Sequence, residues 1–237
     1  MSYQTAVLLG ASGSVGQALL AELVGSSFDH IIVITRRPLT QPLDAKVREV
    51  LVPNMSPENL RQVVVDTLTH SDGPAVGFSV LGVGAGTAKL TLEEHRAIDV
   101  NLNAAFARGL NDSGKVQHLA FMSAAGADIN AKTSGSGAPG LARYARVKGE
   151  AEVAVVEQGP SIVSIFRPAL IVGSQHTPKL LSVFLQLLAP LTPAKFRPIQ
   201  TTQIAKAMVA VGQRTPTQGA VYHYPEMLVL IAGIRIT

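Results

Sequence analysis

The chain has no cysteine, so disulfides, thiolate-bound zinc and a cysteine nucleophile are excluded. A reducing cytoplasm is compatible with that composition. Charge is sparse too: 15% of residues are charged against 47% hydrophobic, a balance that excludes a disordered chain. No apolar run approaches the roughly 18–20 uninterrupted residues that a spanning helix needs. The nearest runs, 180–191 and 227–236, are short and broken by Gln186, Pro190 or Gly233, so no membrane span is expected. No basic segment precedes the first apolar stretch, which reads as a buried strand rather than a secretory signal. The six histidines have no ligand spacing and no H-E-x-x-H motif occurs, so no metal is expected. The net charge of +4 is scattered, without a cationic run or interleaved aromatics, which argues against nucleic acid. A basic groove for a phosphorylated small molecule accounts for the excess.

What is present is a regular alternation. Apolar stretches of strand length at 5–9, 30–35, 47–52, 75–81, 116–122 and 161–166 alternate with helical stretches. The latter fall at 15–24, 57–68, 92–110, 141–157, 179–188 and 202–211. Continuous Val, Ile and Leu runs suit a parallel sheet covered on both faces. The alternation therefore predicts an α/β fold, a doubly wound parallel sheet of Rossmann type with right-handed crossovers. A length of 237 residues suits one domain over 1–237. Prolines punctuate the region after Phe166, and about 174–237 is expected to form a small C-terminal substrate lobe. The segment 126–140, rich in Gly, Ser and Ala, reads as a mobile surface loop. The last eleven residues, from Met227, look like a strand.

Gly10-Ala-Ser-Gly13-Ser-Val-Gly16 follows the first strand and opens a helix. Three glycines can make an ordinary tight turn, but the strand–loop–helix setting points to a dinucleotide. Gly10 permits the turn, Gly13 admits a pyrophosphate, and Gly16 lets the helix close on the sheet. Free amides at the helix start, including that of Val15, would face the anion, with Ser12 and Ser14 adding hydroxyl donors. At the end of the second strand an NAD-specific site would carry a carboxylate for the ribose 2′-hydroxyl. Arg36 and Arg37 stand there instead. The pair would suit a solvated strand end, but beside the glycine turn two planar guanidinium forks favour a 2′-phosphate, hence NADP. A second glycine-rich turn, Leu81-Gly82-Val83-Gly84-Ala85-Gly86, follows the fourth strand. It is placed to line the ligand crevice, unless it is simply a flexible connection.

Tyr144 and Lys148 are four residues apart on a predicted helix and so share a face. An ammonium there favours phenolate and makes a tyrosine useful for proton transfer near neutral pH.

With that pair the chain resembles the short-chain dehydrogenase/reductase superfamily, from the glycine turn at Gly10 through Pro168. The resemblance implies that Tyr144 and Lys148 are the catalytic pair, Lys148 also holding the nicotinamide ribose. It implies that Ser123, in Ala120-Phe-Met-Ser123, bonds the substrate carbonyl. Asn101, in Asp99-Val-Asn101-Leu, would support a proton-relay water, and Arg167-Pro168 would meet the carboxamide. The glycine spacing, Ile34-Thr-Arg-Arg37, Lys148-Gly-Glu150 and Phe166-Arg-Pro168 look most like the atypical, Tat-interacting-protein-like NAD(P)-binding oxidoreductases.

The expectation is an NADP-dependent oxidoreductase acting on a small carbonyl or alcohol compound in the cytoplasm. A nucleotide-sensing regulatory protein and a nicotinamide-recycling epimerase or dehydratase remain alternatives, because fold alone does not decide between them. The apolar stripe 180–191 suits a core or the face of a homodimer.

Overall fold

Strands made of unbroken Val, Ile and Leu need cover on both faces, and the fold supplies it. The structure, a computed structural model, describes residues 5–71, 73–132, 139–173, 193–214 and 216–233. In chain order the strands are β1 (Thr5–Leu9), β2 (His30–Thr35), β3 (Val47–Leu51), β4 (Ala75–Ser79) and β5 (Val116–Met122). They continue with β6 (Ile162–Phe166), β7 (Leu170–Val172), β8 (Pro198–Gln200) and β9 (Ala220–Tyr222). The helices are α1 (Ser14–Val24), α2 (Pro57–Thr69), α3 (Leu92–Arg96), α4 (Asn103–Asp112), α5 (Pro139–Gln158), α6 (Thr201–Gly212) and α7 (Tyr224–Ile231).

The main sheet has the order β3-β2-β1-β4-β5-β6-β9, and every neighbouring pair is parallel. The order reverses between β1 and β4, which opens a crevice at the carboxyl ends of those strands. Helices α1 and α6 pack together on one face, where Leu8, Leu19, Leu23, Phe78 and Met208 are buried. Helices α2, α4 and α5 cover the other, over Leu9, Ile34, Leu60, Phe106 and Phe121. The fold is the expected Rossmann-type α/β sheet.

Local chemistry fixes the helix starts. Ser56 caps α2 by accepting from Asn59 N at 3.3 Å, with Pro57 in its first turn. Thr91 and Glu94 form a reciprocal capping box on α3. The single helix expected over 92–110 is instead α3, a π turn over Ala97–Leu102, and α4. Such a turn rephases the faces of a helix, and it lies beside the site.

The chain end departs from expectation. The run from Met227 is not a strand: as far as Ile231 it belongs to α7. Pro225 sits in the first turn, His223 and Glu226 close a capping box, and Met227 and Leu230 share the buried face. A short apolar run fits a strand or a buried helix equally well, and the cap decides it. The described tail has two parts. β7 pairs with β8 as a small separate sheet, whereas α6 and β9 complete the main layers. The helix expected at 179–188 and the stripe at 180–191 lie outside the described residues. So does 133–138 of the glycine-rich segment, whose last residues, from Pro139, begin α5.

Candidate functional site

β1 stops at Leu9 because Gly10 turns the chain with φ of +95°. A Cβ there would lie 2.7 Å from Leu81 N, so the two glycine-rich turns touch at the point where the strand order reverses. At Gly16 a Cβ would overlap the Gly10 carbonyl oxygen; α1 closes on the turn only because that atom is missing. Gly13 is the N-cap of α1, with no capping side chain and no acid in the first turn. The positive end of that helix is therefore open to an anion. Ser12 is exposed and Ser14 half-buried at its mouth. The Val15 side chain lies in the core, which leaves only its backbone to face a ligand.

A cleft of about 270 Å³ runs from this turn across the ends of β1, β2 and β4. Gly10, Ser12, Arg36, Leu81 and Gly82 line it, and Met55, Ile98 and Leu102 give it apolar walls suited to a flat heterocycle. Arg37 follows Arg36 on the exposed turn. Pro168 lies further along the sheet, buried after β6, with its carbonyl accepting from Ala125 N at 2.8 Å.

On α5, Tyr144, Lys148 and Glu152 recur every four residues and so share one face. Lys148 is buried and pairs with buried Asp99, Nζ to Oδ1 at 2.7 Å. The other Asp99 oxygen accepts from Val83 N at 2.9 Å, tying the pair to the second glycine turn. Gly82 lies directly against it, since a Cβ there would be 3.1 Å from both Asp99 Oδ1 and Lys148 Nζ. Burial alone would lower the ammonium's pKa; Asp99, helped by Tyr144 and Glu152, overrides this and holds it above its ordinary value. Lys148 Nζ lies 5.8 Å from the centre of the Tyr144 ring. On the same ring His95 stacks at 6.0 Å and 20°, fully buried and held below its ordinary pKa by that burial. Glu152 makes a two-pronged pair with Arg167, which joins α5 to the end of β6.

Ser123 follows β5, its amide donating to Phe166 O at 2.8 Å. Its hydroxyl is buried without a hydrogen-bond partner among the described residues. A buried hydroxyl left in that state is an unmet demand for a partner. The chain after it docks on α5, where Asp128 N donates to Ala145 O at 2.9 Å and Gly149 lets the backbone of Ile129 approach.

Asn101 is placed differently from the rest, with its side chain exposed on the π turn. The buried amide is Asn103, which donates to Asp99 O at 2.8 Å and to Leu81 O at 3.3 Å and accepts from Ser79 Oγ. Asp99 and Asn103 are the residues that motif matching passed over. Their signal was present as an i,i+4 spacing that continues from His95.

A parallel sheet in this order, with a glycine turn before α1 and a tyrosine–lysine pair on α5, defines a dinucleotide-binding fold of the short-chain dehydrogenase type. Comparison with known proteins agrees. Over 171 residues the chain is 34% identical to the protein named fmp52, mitochondrial, of Aspergillus niger, covering 71% of this chain and 67% of that one. Over 178 residues it is 29% identical to HTATIP2 of Rattus norvegicus, covering 72% of this chain and 64% of that protein. The chain thus spans about two thirds of the length of these relatives. It belongs to the atypical branch of the short-chain dehydrogenase/reductase superfamily, a family of NAD(P)-binding oxidoreductases and epimerases. No family model matches it. Among solved structures, MoeE5 in complex with UDP-glucuronic acid and NAD aligns with a TM-score of 0.67 at 17% identity, covering 92% of this chain and 75% of that one. UDP-glucose 4-epimerase of Thermotoga maritima aligns at 0.63 and 13%, covering 92% and 76%. Both likenesses are of fold. Among the described residues no helix is long and apolar enough to cross a membrane.

Proposed function

We propose that the chain is an NADP-dependent oxidoreductase that interconverts a carbonyl compound and its alcohol, with Tyr144 as proton donor and acceptor. The observation that carries this reading is the buried Lys148 charge on the same α5 face as Tyr144, beneath the Gly82 turn that floors the cleft. The residues present fit a nicotinamide dinucleotide, because Gly10 and Gly16 let the turn pack tightly enough that the uncapped start of α1 opens at the cleft. Gly13, Ser12, Ser14 and the Val15 amide would receive the pyrophosphate at the start of α1. Arg36 and Arg37 would take the 2′-phosphate, since neither is ion-paired among the described residues. Leu81 and Gly82 would lie against the cofactor, and Pro168 beside its carboxamide.

When bound, the nicotinamide supplies or accepts the hydride at the substrate carbon. The Ser123 hydroxyl donates its free hydrogen bond to the carbonyl oxygen and fixes its direction. Tyr144 delivers the proton to that oxygen in reduction and removes it in oxidation. Lys148 keeps a positive charge near the phenol and offers a donor to the ribose. Asp99 holds Lys148 in place.

Calorimetry with NADPH and NADH, followed by NADPH consumption over a panel of aldehydes and ketones, tests the reading. Stoichiometric oxidation of NADPH is expected; tight binding with no turnover on any carbonyl would reject the enzymatic assignment. The cytoplasm is the compartment we propose, and the mitochondrial name of the fungal relative sets the alternative that fractionation tests.

A further inference from the structure

One carboxylate beside the cleft is used neither by the catalytic groups nor by the glycine turns. Glu49 stands on β3 opposite Val33 of β2, half-buried. A single oxygen, Oε1, accepts from Thr35 Oγ1 at 3.0 Å and from Leu39 N at 2.8 Å. These two donors bracket Arg36, Arg37 and Pro38. Thr35 is held a second time, its carbonyl accepting from Val52 N at 2.8 Å, and Leu39 packs against the core. The turn that carries both guanidinium groups is therefore fastened at each end, with a proline between.

Two hydrogen bonds accepted by one oxygen, from either end of the turn, hold it in one shape. Arginine gains selectivity for a phosphate when its fork is already aimed, because less freedom is lost on binding.

We propose that Glu49 is a positioning residue for cofactor choice: it pins the Thr35–Leu39 turn so that Arg36 and Arg37 meet the phosphate that distinguishes NADPH from NADH. The inference rests on the NADP reading above. The role belongs to the acceptor geometry and not to the charge, so glutamine should substitute and alanine should not.

The test is the ratio of dissociation constants for NADPH and NADH, by calorimetry, in the full chain and its E49A, E49Q and T35V variants. E49A is expected to reduce the preference for NADPH by about tenfold, the order of one hydrogen-bond donor left unmet. Its affinity for NADH should stay within about twofold, and E49Q should keep the parent ratio to the same margin. T35V, which removes one of the two bonds and keeps the side-chain shape, should fall between; it decides the matter if E49A does not fold. An unchanged ratio in E49A or T35V overturns the role of Glu49 and leaves the NADP reading intact. An E49Q ratio as low as that of E49A overturns the geometric account. A parent chain with no preference for NADPH refutes the NADP reading itself, and this inference with it.

Discussion

Lys148 and Asp99 form a buried ion pair, Nζ to Oδ1 at 2.7 Å, directly beneath Gly82. Desolvating two charges is unfavourable, and here their attraction and the Val83 amide on the second oxygen compensate, so that the lysine pKa ends above its ordinary value. The pair lies where α5, the π turn and the second glycine turn converge, so it sets the distance between α5 and the cleft.

Breaking that pair should be severe. Asp99→Asn leaves an unmatched buried ammonium and should lower unfolding free energy by about 3–5 kcal/mol in a urea titration. The double variant D99N/K148M should recover part of the loss, because removing both charges abolishes the unpaired one. A D99N chain as stable as the parent would mean the pair contributes nothing to the fold.

The glycine turns make separable predictions. Gly82→Ala puts a methyl group 3.1 Å from both partners of the pair, which can yield slightly. Dinucleotide affinity should fall while the melting temperature changes little. Gly16→Ala drives a Cβ into the Gly10 carbonyl oxygen, a backbone atom that cannot move aside. It should destabilise the chain by roughly 1–3 kcal/mol as well as abolish binding. Thermal melts paired with calorimetry separate the two.

Removing the phenolic hydroxyl should leave binding intact and abolish chemistry. Tyr144→Phe should reduce kcat by about 10²–10⁴ with the NADPH dissociation constant unchanged, as expected for a lost general acid. Ser123→Ala should reduce kcat as well, since its unpartnered hydroxyl has no structural bond to lose. Single-turnover kinetics on an accepted carbonyl substrate would check both.

Stability should fall on mild acidification. His118 is fully buried on β5 with Nε2 2.9 Å from Ser164 Oγ, and burial pushes its pKa down to about 4 from 6.5. The native ring stays neutral while the unfolded one takes up a proton. Stability is therefore lost as pH falls below about 6.5 and levels off below about 4, by roughly 3 kcal/mol in total. His95, also held low by burial, contributes in the same direction. Unfolding curves at pH 7 and pH 4.5 should show the loss, and His118→Gln should flatten it.

Much of this was legible in order of residues alone. The run of strands from Thr5 to Phe166, the glycine turn and the Tyr144–Lys148 spacing are local patterns, and local patterns set local structure. The sequence missed what depends on a change of helical phase. Motif matching pointed to Asn101, but the π turn carries it to the surface and turns Asp99 and Asn103 inward. It also misread the run from Met227, where an apolar pattern too short to show its period was settled by the His223–Glu226 cap.

The chain by itself determined a doubly wound sheet with an anion-receiving turn, because unbroken apolar strands, helix caps and glycine positions act over a few residues. Only the tertiary structure decided which carboxylate meets Lys148, which one fastens the arginine turn, and that Ala220–Tyr222 adds to the main sheet as β9. Those contacts join residues ten or more positions apart. Their energy depends on burial and on angstrom-scale distance, which spacing along a sequence does not specify.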